Sequence, residues 1–326
     1  MKAFVHEYEE ITIKEMESPL PAKGEVVISL RAAGLNRRDL NIPNRRGNEA
    51  EALVLGSDGA GVVEVVGQGV SNVKEGDEVI INPALRWEKN SDAPPKGFDI
   101  LGMPDHGTFA EKIVIAAEQV EPKPTYLTWE EAGVLTLPAL TAYRALFTKG
   151  NVKENDTVFI PGAGSGVATY LIQFAKNVGA KVIVTSRSEE KRVKAKELGA
   201  DVVLDTNSDW VKALTDETVD LVIESVGRAT FNRSLEVLKK GGRIVTFGAT
   251  TEDTIDFNLR SFFYGQYQLF GSTMGSREEL RNMLDYLEQF KTKPVVDEVF
   301  PLEKAQDAFD YLAQGKQFGN VGLRIG

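Results

Sequence analysis

The chain has 326 residues, a length typical of two domains, and its 48 acidic against 38 basic side chains give a net charge of −10 at pH 7. This acidic balance disfavours binding to nucleic acid or to an anionic membrane surface, because their phosphates would be repelled. The chain has no cysteine and only two histidines, which excludes disulfides, thiolate nucleophiles, cysteine-ligated zinc and a histidine-rich metal site.

The N-terminal half of the chain is expected to be mostly β structure. Its first residues carry no apolar targeting core, and no stretch approaches the roughly 18 apolar residues of a membrane span, so a soluble cytoplasmic protein is expected. Residues 1–120 alternate short apolar runs with Gly, Pro, Asn and Asp, which predicts strands. The long polar segment Pro83–Asp105 predicts a surface lobe or an active-site loop.

The pattern then changes to helices and alternating strands. Residues 129–150 are predicted to be helical, with Thr128 as the N-cap. From Asn155 onward, six apolar runs separated by helical stretches predict a doubly wound parallel sheet. A last strand is expected to rejoin the first region. The expected domains are therefore residues 1–135 with 273–326, and residues 136–272.

Residues 157–191 contain a strand, a glycine-rich turn, a helix and a second strand in that order. This order predicts a dinucleotide-binding unit, because glycines let backbone N–H groups approach a pyrophosphate at the positive end of a helix. The second strand ends in Ser186, Arg187 and Ser188, with Lys191 and Arg192 close behind, where an NAD site would place Asp or Glu. Hydroxyls and cations there favour the 2′-phosphate of NADP(H), with a solvated helix face as the alternative.

Motifs along nearly the whole chain together resemble the medium-chain dehydrogenase/reductase superfamily. Their order and spacing, rather than any one motif, make the resemblance specific. The resemblance implies an α/β protein with a GroES-like β domain for substrate, a six-stranded doubly wound parallel (Rossmann) sheet for the cofactor, and an active cleft between them. The matching stretches include AAGLNRRDL (32–40), GSDGAGVVEVVG (56–67), HGTFAEKIV (106–114), EEAGVLTLPALTAYRAL (130–146), GAGSGVA (162–168), LKKGGRIVTFG (238–248) and GKQFGNVGL (315–323).

The resemblance also implies where a catalytic zinc would lie in the zinc alcohol dehydrogenases of this superfamily. Those ligand positions hold Asn36, Ser57 and Leu137 here, and none is a competent zinc ligand. Asp39 and Asp58 remain beside them, but two carboxylates without His or Cys make a weak zinc set. The region that would carry four structural-zinc cysteines has none. The pattern is similar to that of zinc-independent quinone oxidoreductases and enoyl reductases, so no bound metal is expected.

Without a metal, hydrogen-bond donors must stabilise the charge that develops on the acceptor oxygen during hydride transfer. The resemblance implies Asn36, Arg37, Arg38 and Ser57 as the catalytic candidates. Asn36 also suits a turn at a strand end, the two arginines suit a solvated pair, and Ser57 suits a tight backbone turn. The expected reaction is NADPH-dependent reduction of quinones or α,β-unsaturated carbonyls, because such acceptors spread the charge. The alternatives are a metal-free alcohol or aldehyde oxidoreductase and an NADPH-binding sensor or scaffold without catalysis.

The resemblance further implies the cofactor-binding residues and the partners. A small carbonyl or quinone substrate is expected, with neither nucleic acid nor membrane. The aromatic segment 262–270 is either core or the edge at which relatives pair with a second copy, and a homodimer is expected. The cofactor-binding candidates are Thr141, Gly162, Ala163, Gly164, Ser165, Gly166, Val167, Ser186, Arg187, Lys191, Ser225, Phe247, Gly248, Gly271, Ser272 and Asn320.

Overall fold

The computed structural model describes residues 1–326, which divide into two units. Unit 1 comprises Met1–Pro138 and Gly275–Gly326, and unit 2 comprises Ala139–Met274. Unit 1 is rich in strands, whereas unit 2 alternates strands and helices, as the sequence predicts. No helix has both the length and the apolar character needed to cross a membrane.

Strands run through both units in chain order. The first ten belong to unit 1, the next six to unit 2, and the last two return to unit 1. They are β1 (Lys2–Tyr8), β2 (Glu10–Glu15), β3 (Glu25–Leu35), β4 (Glu49–Val54), β5 (Asp58–Val66), β6 (Glu78–Ile81), β7 (Ala84–Leu85), β8 (Asp99–Ile100), β9 (Lys112–Ala116), β10 (Val120–Pro122), β11 (Thr157–Ile160), β12 (Lys181–Ser186), β13 (Val202–Asp205), β14 (Val219–Glu224), β15 (Leu238–Thr246), β16 (Gln268–Gly271), β17 (Val296–Pro301) and β18 (Asn320–Arg324).

Most of the α-helices lie in unit 2 or near the chain's C-terminus. A π-helical turn, Arg144–Lys149, directly continues the third of them. The helices are α1 (Ile42–Arg46), α2 (Trp129–Gly133), α3 (Thr136–Tyr143), α4 (Gly166–Asn177), α5 (Glu189–Glu197), α6 (Trp210–Ala213), α7 (Phe231–Val237), α8 (Leu259–Tyr264), α9 (Arg277–Phe290) and α10 (Ala305–Gln314).

The main sheet of unit 1 has the strand order β10-β6-β5-β3-β18-β17, with β9 also paired to β3. β3 and β5 are antiparallel, and their register places Gly34 opposite Asp58. β18 pairs antiparallel with β3, so the end of the chain joins the sheet begun by its first residues. The core beneath this sheet includes Phe4 and Phe109, whose rings meet that of Phe309 from α10 edge to face.

The sheet of unit 2 has the strand order β13-β12-β11-β14-β15-β16, and all of its pairs are parallel. This confirms the predicted six-stranded doubly wound sheet. The order reverses at β11, whose neighbours are β12 on one side and β14 on the other. Ligands of such sheets bind at the carboxyl ends of the strands beside this reversal, and the glycine-rich turn directly follows β11.

Residues 129–150, predicted to be helical, form α2, α3 and the π-helical turn, with a break between α2 and α3. Thr128 does cap α2, since its hydroxyl accepts from Glu131 N in a capping box. The helix ends at Gly133, and α3 begins three residues later at Thr136. The break exists because the backbone N–H of Leu137, in the first turn of α3, donates to the buried carboxylate of Asp58 at 2.6 Å.

Candidate active site and cofactor turn

The glycine-rich turn of unit 2 leads from β11 into α4. Gly162 has a φ of +80° and Gly164 a φ of +126°, in the left-handed region that favours glycine. Ser165 is the N-cap of α4, and its hydroxyl accepts from Ala168 N at 3.1 Å. The first N–H groups of α4 lack helical acceptors, so this end of the helix suits an anion.

Two neighbouring strands hold this turn in place. On the β12 side, Thr185 accepts from Ala163 N through its carbonyl at 2.7 Å and from Gly162 N through its hydroxyl at 3.3 Å. On the β14 side, a Cβ added to Gly162 would lie 2.8 Å from Val226 Cγ2. The backbone of the turn is therefore hydrogen-bonded to Thr185 of β12 on one side and lies close to Val226, after β14, on the other.

The segment after β12 presents one arginine to solvent. Ser186 is buried, and its hydroxyl accepts from Ser188 N at 3.2 Å. Arg192 Nη1 donates to Ser186 O at 2.7 Å and to Asp205 Oδ2 at 3.2 Å. Arg187 is exposed and takes no part in these bonds. Arg192 therefore stabilises the end of β12, whereas the guanidinium of Arg187 is available to a ligand.

Lys191 and Ser188 organise the start of α5. The Ser188 hydroxyl is the N-cap and accepts from Lys191 N at 3.3 Å. This cap places the Lys191 backbone in the first turn of α5, three residues after the Ser188 cap. The basic residues that the sequence places after β12 therefore lie just before α5, as Arg187 does, or near its start, as Lys191 and Arg192 do.

The remaining candidates of unit 2 cluster after the ends of β14, β15 and β16, with one exception. Ser225 O accepts from Thr250 N at 3.2 Å, in the loop that follows Phe247 and Gly248. Ser272 N donates to Thr246 O at 2.8 Å just beyond Gly271. The Ser272 hydroxyl oxygen is buried and has no hydrogen-bond partner within the protein.

The exception is Thr141, which lies on α3 rather than at a strand end. Its side chain is buried, and its hydroxyl lies 3.9 Å from Met274 Sδ. Tyr143, two residues further along α3, packs its ring against Phe147 and Phe174 at centroid distances of 4.9 Å and 6.5 Å. Tyr143 thus packs among aromatic side chains.

Glu224, which the sequence analysis did not single out, is a buried carboxylate at the end of β14. It accepts from Val226 N at 2.7 Å, Gly227 N at 3.2 Å, Thr230 Oγ1 at 2.9 Å and Ser234 Oγ at 3.1 Å. Burial raises its pKa despite these four neutral donors. Glu224 therefore fixes the loop whose Val226 lies against the glycine turn. Its only sequence signal is an acidic residue that ends an apolar strand.

In unit 1, Asn36 follows β3 and lies beside the first residue of β5. Asn36 Nδ2 donates to Asp58 Oδ2 at 2.8 Å. The other oxygen of Asp58 accepts from Thr136 Oγ1 at 2.9 Å and from Leu137 N at 2.6 Å. Burial raises the pKa of Asp58 to about 7, because its effect is larger than that of these hydrogen bonds, which lower the pKa.

A second network joins Ser57, Arg38 and Asp39. Ser57 is fully buried, accepts from Arg38 Nη1 at 2.6 Å and donates to Leu101 O at 2.8 Å. Arg38 Nη1 also donates to Leu101 O at 2.9 Å and lies 3.6 Å from Asp39 Oδ1. Burial raises the pKa of Asp39 to about 6, although Arg38 and the hydrogen bonds from Asn36 N and Ser57 oppose the shift. Both Ser57 and Arg38 are thus engaged within the protein.

The other two candidates of unit 1 take no part in these hydrogen-bond networks. Arg37 is exposed, and its Nη2 lies 3.9 Å from where a Cβ on Gly315 would be. Asn320 lies in β18, where its backbone N and Nδ2 both donate to Val295 O, at 2.8 Å and 3.0 Å. Asn36, Arg38 and Ser57 are therefore brought together, whereas Arg37 projects to solvent and Asn320 is tied to Val295.

The donor chemistry of this cluster does not fit zinc. Asn36, Ser57 and Leu137 supply an amide, a hydroxyl and an aliphatic side chain around the two carboxylates. Zinc in proteins prefers thiolate and imidazole nitrogen, with carboxylate as an addition. No group of three or more His, Cys, Asp or Glu side chains lies close enough to hold a metal ion.

Two further residues have structural roles. His106 Nδ1 accepts from Val54 N at 3.1 Å, so the imidazole supports a loop and a strand end. Trp87 lies in the segment predicted as a surface lobe or active-site loop, but it is 1% exposed and its ring meets that of Phe98 at 5.2 Å. Part of the segment predicted as a surface lobe or an active-site loop is therefore core.

Comparisons with known proteins agree over both units. Residues 22–125 match the family model described as alcohol dehydrogenase GroES-like domain, and residues 166–289 match the model described as zinc-binding dehydrogenase. A zinc-type alcohol dehydrogenase-like protein, YogA of Leptosphaeria maculans, is 33% identical, and the alignment covers 98% of this chain and 95% of that protein.

Solved structures of similar proteins cover the whole chain. A structure described as an NAD-dependent alcohol dehydrogenase has a TM-score of 0.92 and 36% identity, with all of both chains covered. The 2-octenoyl-CoA carboxylase reductase CinF, solved with NADP and 2-octenoyl-CoA, has a TM-score of 0.89 and 26% identity, with 99% of this chain and 87% of that chain covered.

Proposed function

Because the chain belongs to the medium-chain dehydrogenase/reductase superfamily and is an oxidoreductase of that family, we propose that it reduces a quinone or an α,β-unsaturated carbonyl with NADPH and without zinc. When bound, NADPH supplies the hydride from its nicotinamide ring. The protein's part is to bind and orient both reactants and to stabilise the developing charge.

The observation that carries this proposal is the state of the residues at the zinc-ligand positions. Asn36 and Ser57 each take part in a hydrogen-bond network that runs to buried protein groups, and Leu137 contributes its backbone N–H. A site without a Lewis acid gives little help to the alkoxide of a simple alcohol. A conjugated acceptor is easier, because its enolate or hydroquinone anion spreads the negative charge over several atoms.

We assign the cofactor to unit 2. The backbone of residues 162–167 would hold the pyrophosphate, since the two positive φ angles and the N-terminus of α4 suit it. Ser186, Arg187 and Lys191 would hold the 2′-phosphate. The candidates of unit 2 left for the adenosine and nicotinamide portions are Thr141, Ser225, Phe247, Gly248, Gly271 and Ser272. Asn320, the remaining cofactor candidate from the sequence, lies in unit 1.

We assign substrate contact to Asn36 and Arg37 in unit 1. Asn36 is partly exposed and keeps one N–H and its carbonyl oxygen available beyond the bond to Asp58. Arg37 is exposed and keeps its guanidinium donors available to an acceptor oxygen. We place Ser57 and Arg38 behind them, because the Ser57 hydroxyl and Arg38 Nη1 already bond each other and Leu101 O.

The complex of CinF with NADP and 2-octenoyl-CoA supports an enoyl acceptor. The similarity to a structure described as an NAD-dependent alcohol dehydrogenase favours, as a second candidate, oxidation of alcohols or reduction of aldehydes.

The exposed apolar side chains of α8 and β16 in unit 2 support a homodimer through that sheet edge. They are Leu259, Phe263, Tyr264 and Leu269.

The test is a substrate panel with chelator-treated protein. NADPH oxidation would be followed with quinones, enals, enones and enoyl thioesters, and NADP⁺ reduction with primary and secondary alcohols. We expect turnover of at least one conjugated acceptor, unchanged by chelator or by added zinc. Turnover of alcohols alone would favour the second candidate, and tight NADPH binding with no turnover of any compound would favour a sensor or scaffold.

A further inference from the structure

The Asp58 carboxylate joins three separate parts of unit 1. Its Oδ1 accepts from Thr136 Oγ1 and from Leu137 N, which fixes the start of α3. Its Oδ2 accepts from Asn36 Nδ2, just after β3. The side chain of Asp58 is 1% exposed, and all three donors are neutral. The carboxylate is therefore surrounded by groups that it holds in place.

The bond to Asn36 decides which end of that amide faces away from Asp58. A carboxamide has an oxygen that only accepts and an NH₂ group that only donates, and rotation by about 180° exchanges them. An ionised carboxylate only accepts, so the NH₂ end must face Asp58 and the oxygen end cannot. The carbonyl oxygen of Asn36, with one remaining N–H, is left for its partly exposed side.

We propose that Asp58 is a positioning residue that locks the Asn36 amide with its carbonyl oxygen outward, so that Asn36 acts as an acceptor for an N–H or O–H group of a bound ligand. This rests on the proposed function, because it takes Asn36 as a residue that touches cofactor or substrate. The ligand group has two possible sources with the same chemistry, the carboxamide of the nicotinamide and a hydroxyl of the substrate or its proton source.

Asp58→Asn separates positioning from packing. The asparagine has nearly the same shape, and its carbonyl oxygen still accepts from Thr136 and Leu137. Its NH₂ end then faces Asn36 and requires the Asn36 amide to turn over, which points two N–H donors outward in place of the oxygen. Thr136→Val is the matched control, since it removes a bond to Asp58 on the side away from Asn36.

The first readout is catalytic, at pH 8, above the pKa of about 7 to which burial raises the Asp58 carboxyl. Asp58→Asn is expected to lower kcat/KM with the best acceptor about tenfold, approaching the effect of Asn36→Ala, while Thr136→Val stays within about twofold of the parent. A loss of NADPH affinity, absent with reduced 3-acetylpyridine adenine dinucleotide phosphate, would identify the nicotinamide carboxamide as the donor. Unchanged NADPH affinity with lowered kcat/KM would identify a substrate group.

The second readout does not need activity. One side-chain amide proton of Asn36 is bonded to a buried carboxylate, so NMR should show it exchanging slowly with water in the parent and rapidly in Asp58→Asn. Rapid exchange of both protons in the parent would overturn the inference even if no substrate is found. An Asp58→Asn enzyme with parent kcat/KM, or a Thr136→Val enzyme as impaired as Asp58→Asn, would overturn it while the proposed reaction still stands.

Discussion

The side chain of Val226 occupies the space that a Cβ on Gly162 would need, with Cγ2 2.8 Å from the ideal Cβ position. Gly162 also has a φ of +80°. Position 162, two residues after the end of β11, is therefore confined to glycine by two independent causes, one in its own backbone and one in the loop after β14. Both causes hold the glycine turn in the form that suits a pyrophosphate.

Replacing Gly162 by alanine should therefore weaken NADPH binding at least tenfold, because either the turn or Val226 must shift. Gly241→Ala is a matched control, since Gly241 has a φ of +77° but open space at its Cβ position. Its unfolding free energy should fall by roughly 1 kcal/mol, the cost of a left-handed alanine, with unchanged NADPH affinity. Titration calorimetry and denaturant unfolding would measure both, and equal NADPH affinities for the two variants would contradict this account of the turn.

Arg187→Asp should weaken NADPH far more than NADH, by at least tenfold in the ratio of the two dissociation constants. The reason is the loss of a cation, and the gain of an anion, where the 2′-phosphate is proposed to bind. Lys212→Asp, an equal charge change at another exposed position of unit 2, controls for net charge. Fluorescence titration with both nucleotides checks the ratio, and an equal loss for NADPH and NADH would remove Arg187 from the 2′-phosphate site.

Glu224→Ala should lower both stability and NADPH affinity, since four donors lose their acceptor and the loop that carries Val226 loses its anchor. Glu224→Gln keeps one acceptor oxygen at the same place and should recover most of the affinity. The measurement is NADPH titration beside thermal unfolding for each variant. A destabilised Glu224→Ala protein with parent affinity would show that Glu224 supports the fold but not the glycine turn.

The contribution of Asp58 to the stability of the protein should fall as pH rises from about 4 to about 7. Its pKa is raised from 3.8 to about 7 in the folded state, so over that window the folded chain retains a proton that the unfolded chain has lost. Each pKa unit corresponds to about 1.4 kcal/mol, and the sign favours the folded state at low pH. The Asp58→Asn protein lacks this penalty, so its Tm relative to the parent should rise with pH. A Tm difference that is flat with pH would contradict the buried, shifted carboxyl.

The sequence was most informative where structure depends on neighbouring residues. The six parallel strands of unit 2 and the turn between β11 and α4 follow from apolar periodicity and glycine spacing, and they were predicted. The break after Gly133 was not, because its cause is a hydrogen bond from Leu137 to Asp58, 79 positions earlier in the chain.

The inner part of the candidate site depends on such long-range bonds. Ser57 and Arg38 are catalytic candidates from the sequence, with a tight turn and a solvated pair as alternatives. The Ser57 hydroxyl and Arg38 Nη1 both donate to Leu101 O, 44 and 63 positions away, which their sequence neighbours do not show. The role of Glu224 is not predicted by its immediate neighbours in the sequence. Two of the groups that donate to it, the hydroxyls of Thr230 and Ser234, lie six and ten positions later. Residue types alone do not show which polar groups are already satisfied.

The central claim is hydride transfer to a conjugated acceptor without a metal, and isotope transfer tests it most directly. Metal-depleted protein would be given NADPH deuterated at the transferred position of the nicotinamide C4, together with the acceptor that it turns over fastest. For an α,β-unsaturated carbonyl, mass spectrometry and NMR should find one deuterium per product at the β-carbon, at a rate unchanged by added zinc. Transfer that occurs only when zinc is restored, or deuterium found only at the carbonyl carbon, would contradict the account.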